Sequence, residues 1–288
     1  MIRKLILAYA AAFTAVMSYA LPQPAVWFKA DTGVTVENGK VVKWANQGSL
    51  GSEQDLTSGH EASPSATAIT VAQHANMGTV IRFDGTDFLQ SGTLSKFGIS
   101  NEATIICVVD HNAGVASARQ SLWSTKTDSE SSNDRDYLCM VYWDMYLTNL
   151  GGGTGNGWRN SQIKFGRQFF AGVGHVLSVV AVPGTGYGYN RGGYADDGDL
   201  PASAKGIVGL DDGYLRIGRS PALATNEGIY HGDFAEFRLY NKALTAAERF
   251  QVECELAAKY NLDINPVQVS VATDADLIPR TVFAGCAT

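Results

Sequence analysis

The side chains of this 288-residue chain whose types and spacing could do chemistry are acidic and aromatic. Cleaving a glycosidic bond with a carboxylate pair needs two acids on one face of a strand, which alternation supplies at positions i and i+2. No such run occurs. Asp233 and Glu236 are three apart, which sends them to opposite faces of a regular strand. Asp136 and Asp144 share parity, but eight residues of strand hold them about 26 Å apart. The five histidines, His60, His74, His111, His175 and His231, are scattered, and no G-x-S-x-G, H-E-x-x-H or Gly-rich phosphate loop accompanies them. The expectation is a protein without catalytic activity.

The aromatic set points to binding. Trp158 follows the glycine run "GGGTGNG", and Tyr187, Tyr189 and Tyr194 lie in a Gly/Tyr/Asp-rich stretch with Asp196, Asp197 and Asp199. Sugar rings stack their C–H faces on aromatic planes while their hydroxyls need carboxylates or amides nearby, so these four residues are the candidate ligand contacts. Trp27 and Trp44 sit in apolar segments and are expected in the core.

The elements that must position these residues are short. Segments such as "AVWFKA", "KVVKWAN", "TVIRFDG", "ATIICVVD", "HVLSVVAV", "GYLRIGR" and "DFAEFRLYN" are rich in Val, Ile, Phe, Tyr and Trp and are bounded by Gly, Asn, Asp and Ser. That pattern predicts strands. Asn38-Gly39 and Asp84-Gly85 tolerate the positive φ of tight turns. One helix is expected over about 245–260: Thr245-Ala246-Ala247-Glu248 is a capping box, Ala247, Phe250, Cys254 and Ala257 form its apolar stripe, and Glu248, Arg249, Glu255 and Lys259 stay wet. Residues 127–136 and 183–204 read as long loops.

Composition narrows the partners. Charged residues are 17% and the net charge is −6, with no basic cluster larger than Arg3-Lys4, which argues against nucleic acid. Arg3 and Lys4 precede an apolar run to Met17, and Ser18-Tyr19-Ala20 supplies small residues for cleavage, so residues 1–20 read as a secretory signal peptide, too short to span a membrane. Its removal leaves 20 basic and 28 acidic residues, a net charge of −8. No later stretch is apolar enough to cross a bilayer. Export would expose Cys107, Cys139, Cys254 and Cys286 to an oxidising compartment. Three connectivities are possible; a Cys254–Cys286 disulfide, tying the tail to the helix, is the pairing expected here, the alternative being buried free thiols that act as small hydrophobes.

Taken together, "AVWFKADTGVTVENGKVVKWANQGSLGSEQDLT", "TVIRFDGTDFL", "HVLSVV", "LRIGRS" and "GDFAEFRLYNKALTAAERFQVECELAAKYNL" resemble the concanavalin A-like, laminin-G-like jelly-roll domains of secreted bacterial proteins. The resemblance implies an all-β jelly-roll sandwich of two antiparallel sheets over residues 22–262, with residues 263–288 an extended tail outside the pattern. It also implies glycan or surface-ligand binding and a structural calcium ion, for which Asn46, Asp84, Asp87, Asp233 and Glu236 are the candidate oxygen donors. Asn46 stands where such domains carry Asp, which removes a charge from the donor set. The expected function is a secreted lectin-like module that binds a carbohydrate or glycoconjugate. The alternative is an extracellular structural or adhesion protein, and a glycan-cleaving enzyme ranks third.

Overall fold

The computed structural model describes residues 21–58, 69–91, 97–99, 102–111, 119–126, 138–142, 145–149, 162–165, 172–182, 185–191, 214–219 and 230–262. Two antiparallel sheets face each other. The first contains β1 (Val26–Lys29), β5 (Thr70–His74), β6 (Gly78–Asp84), β8 (Ala103–His111), β13 (His175–Val182), β14 (Thr185–Arg191) and β16 (His231–Tyr240), in the order β14-β13-β8-β16-β6-β5. Strand β1 pairs with the second half of β16, and β6 pairs with the first half. The second sheet contains β2 (Val34–Glu37), β3 (Lys40–Trp44), β4 (Leu56–Thr57), β7 (Leu89–Ser91), β9 (Arg119–Lys126), β10 (Leu138–Tyr142), β11 (Met145–Asn149), β12 (Gln162–Phe165) and β15 (Tyr214–Ile217), in the order β12-β11-β10-β9-β15-β7-β4-β3-β2. The all-β two-sheet sandwich expected from the sequence is therefore the architecture found.

The core lies between the sheets. Phe28, Phe83, Phe234 and Phe237 of the first sheet meet Trp44, Trp123, Leu215 and Ile217 of the second, all buried. The helix α1 (Ala246–Lys259) covers the outer face of the first sheet, where Val252, Leu256 and Ala257 pack on Val80, Ile106, Val108 and Ala235. Strand β8 is thus covered on both faces, and all nine of its residues are buried. This is why "ATIICVVD" reads as a continuous apolar run without alternation.

The ends of α1 follow its sequence signals. The Thr245 hydroxyl accepts from the Glu248 N–H at 3.2 Å, and a Glu248 carboxylate oxygen accepts from the Thr245 N–H at 2.8 Å, the expected capping box. At the other end Asn261 has φ +50°, and the Leu262 N–H donates to the Ala257 carbonyl at 2.9 Å. That is a Schellman closure with asparagine in the left-handed position. The expected stripe needs correction: Ala247 is exposed, Cys254 only half-buried, and Arg249 is buried with Glu253, its nitrogen 3.5 Å from the carboxylate one turn on. The buried face is centred instead on Phe250, Val252, Leu256 and Ala257.

Two further expectations change. Residues 185–191, read as loop, form β14, because pairing along the whole of β13 outweighs the low strand propensity of Gly186 and Gly188. Trp27 is not a core residue. Its neighbours Val26 and Phe28 point inward, so alternation turns Trp27 outward, where its ring lies 4.9 Å from the Arg238 guanidinium and 4.6 Å from the Lys29 ammonium. Trp44 is core, fully buried, with its indole N–H donating to the Lys29 carbonyl at 2.9 Å. The Asn38-Gly39 turn is as expected, with φ values of +51° and +78°.

Candidate functional site

A β-bulge organises the outer face of the first sheet. Between Phe234 and Glu236 the pairing of β16 with β8 slips by one residue. Phe234 and Phe237, three apart, therefore both enter the inter-sheet core. The same slip brings Asp233 and Glu236 to the outer face together, correcting the expectation for a regular strand. The two acids nonetheless belong to separate sets.

Glu236 is a buried anchor for the helix. Its carboxylate accepts from the Arg238 guanidinium at 2.6 Å, the Trp27 indole at 2.6 Å, the Tyr260 hydroxyl at 2.6 Å and the Lys259 ammonium at 2.9 Å. Burial alone would push its pKa up, but Arg238, Tyr260 and Lys259 together hold it below the ordinary carboxylate range. Arg238 also forks onto Glu255 of α1 at 3.0 and 3.1 Å. This set ties β1, β16 and α1 together and leaves Glu236 no oxygen facing a ligand.

Asp233 lies in a cleft of about 420 Å³ at the other end of the same face. It stands opposite Arg82 of β6 on one side and Asp110 of β8 on the other. Arg82 grips it with two bonds, Nε to Oδ1 at 2.8 Å and Nη2 to Oδ2 at 2.7 Å. The carboxylate is 7% exposed and the Arg82 side chain 48%, so the guanidinium is the part of the pair that faces solvent. Asp110 accepts from the Gly172 N–H at 3.1 Å and lies 2.8 Å from His74 Nε2. The Asn76 and Met77 N–H groups both donate to His74 Nδ1 at 3.2 Å, which places the imidazole proton on Nε2, toward Asp110. His74 is therefore held in place as a hydrogen-bond donor to Asp110. Burial, and then the charge of Asp233, push the Asp110 carboxyl above its ordinary range despite the His74 and Gly172 bonds. Two carboxyl groups side by side thus differ in environment, one paired with a guanidinium and the other biased toward its neutral form. His231 completes the wall.

The remaining candidates fall elsewhere. Asn46 is a structural clasp: its Oδ1 accepts from the Trp27 and Gly48 N–H groups at 2.7 and 2.8 Å, and its Nδ2 donates to the Gly51 carbonyl at 2.9 Å. Asp84 accepts from the Thr86 N–H and hydroxyl at 3.1 and 2.7 Å. Burial, and then the Asp84 charge, push the Asp87 carboxyl up. Of the five proposed calcium donors, Asp233 and Glu236 are paired with cationic side chains and Asn46 Oδ1 accepts from main-chain N–H groups. Among the described residues no group of three or more His, Cys, Asp or Glu could hold a metal ion. Trp158 and Tyr194 lie outside the described residues. Tyr187 and Tyr189 occupy β14, opposite Val180 and Ser178 in register. Cys107 is a buried free thiol and Cys254 is half-buried on α1; Cys286, its expected partner, lies outside the described residues.

Sequence reasoning missed Arg82, Asp110 and His74. The available signal was a charged residue breaking each apolar run, Arg82 in "TVIRFDG" and Asp110 closing "ATIICVVD".

No protein-family model and no curated protein matches the sequence. The fold, however, is similar to solved structures. Domain 4 of AbnA, an extracellular arabinanase of Geobacillus stearothermophilus in complex with arabinotriose, matches with a TM-score of 0.50 at 14% identity, over 79% of this chain and 97% of that one. An arabinofuranosidase complexed with arabinofuranosyl-α-1,2-xylobiose gives 0.52 at 10% identity, over 79% and 52%. Trypanosoma rangeli sialidase with sialic acid gives 0.52 at 10% identity, over 86% of this chain and 37% of that one. This chain thus spans about half of the arabinofuranosidase and little more than a third of the sialidase. The expectation of a protein without catalytic activity is not supported: the sandwich recurs within an arabinofuranosidase and a sialidase.

Proposed function

We propose that this chain is an exported carbohydrate-recognising domain whose glycan site is the cleft between β5, β6, β8 and β16. The observation that carries the reading is the Arg82–Asp233 fork. A guanidinium half open to solvent is held by a buried carboxylate, beside a second carboxyl group clamped by His74 and Gly172. Polar groups fixed before the ligand arrives avoid the cost of ordering them, and planar donors and acceptors in a cleft are what pairs of sugar hydroxyls require. The similar folds of an arabinotriose-bound domain and of glycosidases support the reading. The concanavalin A-like and laminin-G-like ancestry, the signal peptide at residues 1–20 and secretion belong to the same proposal. Among the described residues no helix is long and apolar enough to cross a membrane.

Charge selects the ligand class. Arg82 is already paired with Asp233, and Asp110 brings no positive charge, so the cleft offers no unpaired guanidinium to a sugar carboxylate. The ligand is a neutral glycan. The test is a glycan array probed with the full-length protein and with Arg82→Ala: neutral glycans bind the first and are lost from the second. A blank array with a cooperative unfolding transition, or binding confined to sialylated glycans, contradicts the proposal.

A further inference from the structure

We infer that Asp110 and Asp233 form a hydrolytic carboxylate pair for the glycosidic bond of the neutral glycan held in this cleft, an inference that rests on the binding proposal above. The placement is geometric. The two residues are directly opposed partners on neighbouring antiparallel strands, both on the outer face and both lining the cleft. Directly opposed side chains have Cβ atoms about 4.5–5.5 Å apart. Cβ atoms that close let the two carboxyl groups reach the roughly 5 Å separation of double-displacement hydrolysis.

The environments divide the roles. Asp233 is forked by the Arg82 guanidinium, a cationic partner suited to the carboxylate that acts as nucleophile. Asp110 is buried next to that anion and retains a proton more readily, as a general acid must. In the first step an Asp233 oxygen bonds to the anomeric carbon as its bond to the leaving oxygen breaks. That oxygen takes the Asp110 proton and departs as the alcohol. In the second, Asp110, now a carboxylate, removes a proton from water, whose oxygen displaces Asp233 from the anomeric carbon. The pair returns to its starting protonation, the net reaction is addition of water across the glycosidic bond, and the anomeric configuration is retained. His74 and the Gly172 N–H hold Asp110 in place, and Arg82 holds Asp233.

The test uses the full-length protein and a glycan that it binds on the array. Wild type is expected to release reducing sugar with retained configuration by proton NMR. Asp233→Asn and Asp110→Asn are each shown to unfold cooperatively and are assayed at glycan concentrations that saturate the binding each retains. Their hydrolysis should fall by about 10²-fold or more, the scale of losing a general acid. Asp110→Asn should also lose the alkaline limb of the pH profile. A bound glycan that remains intact overturns the hydrolytic inference while leaving the binding proposal standing. Hydrolysis at the wild-type rate by either variant, or inversion at the anomeric carbon, also overturns it, and a blank array with no hydrolysis overturns both.

Discussion

Asp110 on β8 and Asp233 on β16 stand directly opposite each other on the outer face of the first sheet, two buried acids on adjacent strands. Like charges so placed repel, and the strands tolerate them because each carboxyl has its own clamp: Arg82 on Asp233, and His74 with Gly172 on Asp110.

Removing one clamp should expose that repulsion. Arg82→Ala is expected to lower the unfolding free energy by about 1–2 kcal/mol, less than a fully buried pair because the guanidinium is half in water. Adding Asp233→Asn should restore most of the loss. Urea unfolding of the four proteins of this cycle measures the coupling.

Glu236 should behave as a structural charge. Glu236→Gln leaves Arg238 with Glu255 alone and weakens the bonds from Trp27, Tyr260 and Lys259, a change expected to cost about 3 kcal/mol. The same urea titration checks it, with glycan binding unchanged because this set lies outside the cleft.

Asn46 cannot be exchanged for aspartate at no cost. Its Nδ2 donates to the Gly51 carbonyl and its own N–H reaches Asp55 Oδ1 at 2.7 Å, so a carboxylate there would face an acceptor and a like charge. Asn46→Asp should destabilise the fold by about 1–2 kcal/mol, read from the thermal midpoint.

Acid should weaken the fold through His111. Burial, and then the neighbouring His231 and His175, push this imidazole down to about 4 from its ordinary 6.5. Between these values the unfolded chain binds a proton that the folded state refuses, so stability falls as pH falls through this window. The loss is about 3 kcal/mol and is complete near the folded value. Asp110, whose carboxyl is pushed up, acts in the opposite direction, so the measurement is the difference between wild type and His111→Gln. That difference should change between pH 6.5 and 4 and be flat above 7.

Much of the fold was legible because it depends on local pattern. The Thr245–Glu248 box and the Asn38-Gly39 turn formed where neighbours in sequence satisfy each other's backbone groups. Strand β14 was not legible, since its glycines and tyrosines take a strand only by pairing with β13. Trp27 was misplaced because an apolar segment does not say which alternate residues face the helix. The cleft was hidden for a different reason. Asp110 and Asp233 are 123 positions apart in sequence, and they meet only through the β8–β16 register, which no spacing of residues along the chain encodes. The bulge at Phe234–Glu236 likewise inverted the facing of an acid pair that simple alternation had separated.

The most direct test of the account is calorimetric titration of a neutral glycan, selected on the array, into wild type, Arg82→Ala and the control Val71→Ser, whose exposed side chain lies on β5 away from the cleft lining. The account predicts one site with wild-type affinity in Val71→Ser and a loss of about tenfold or more in Arg82→Ala, the scale of one charge-assisted hydrogen-bond fork. Wild-type affinity in Arg82→Ala would contradict it and place the glycan elsewhere on the sandwich.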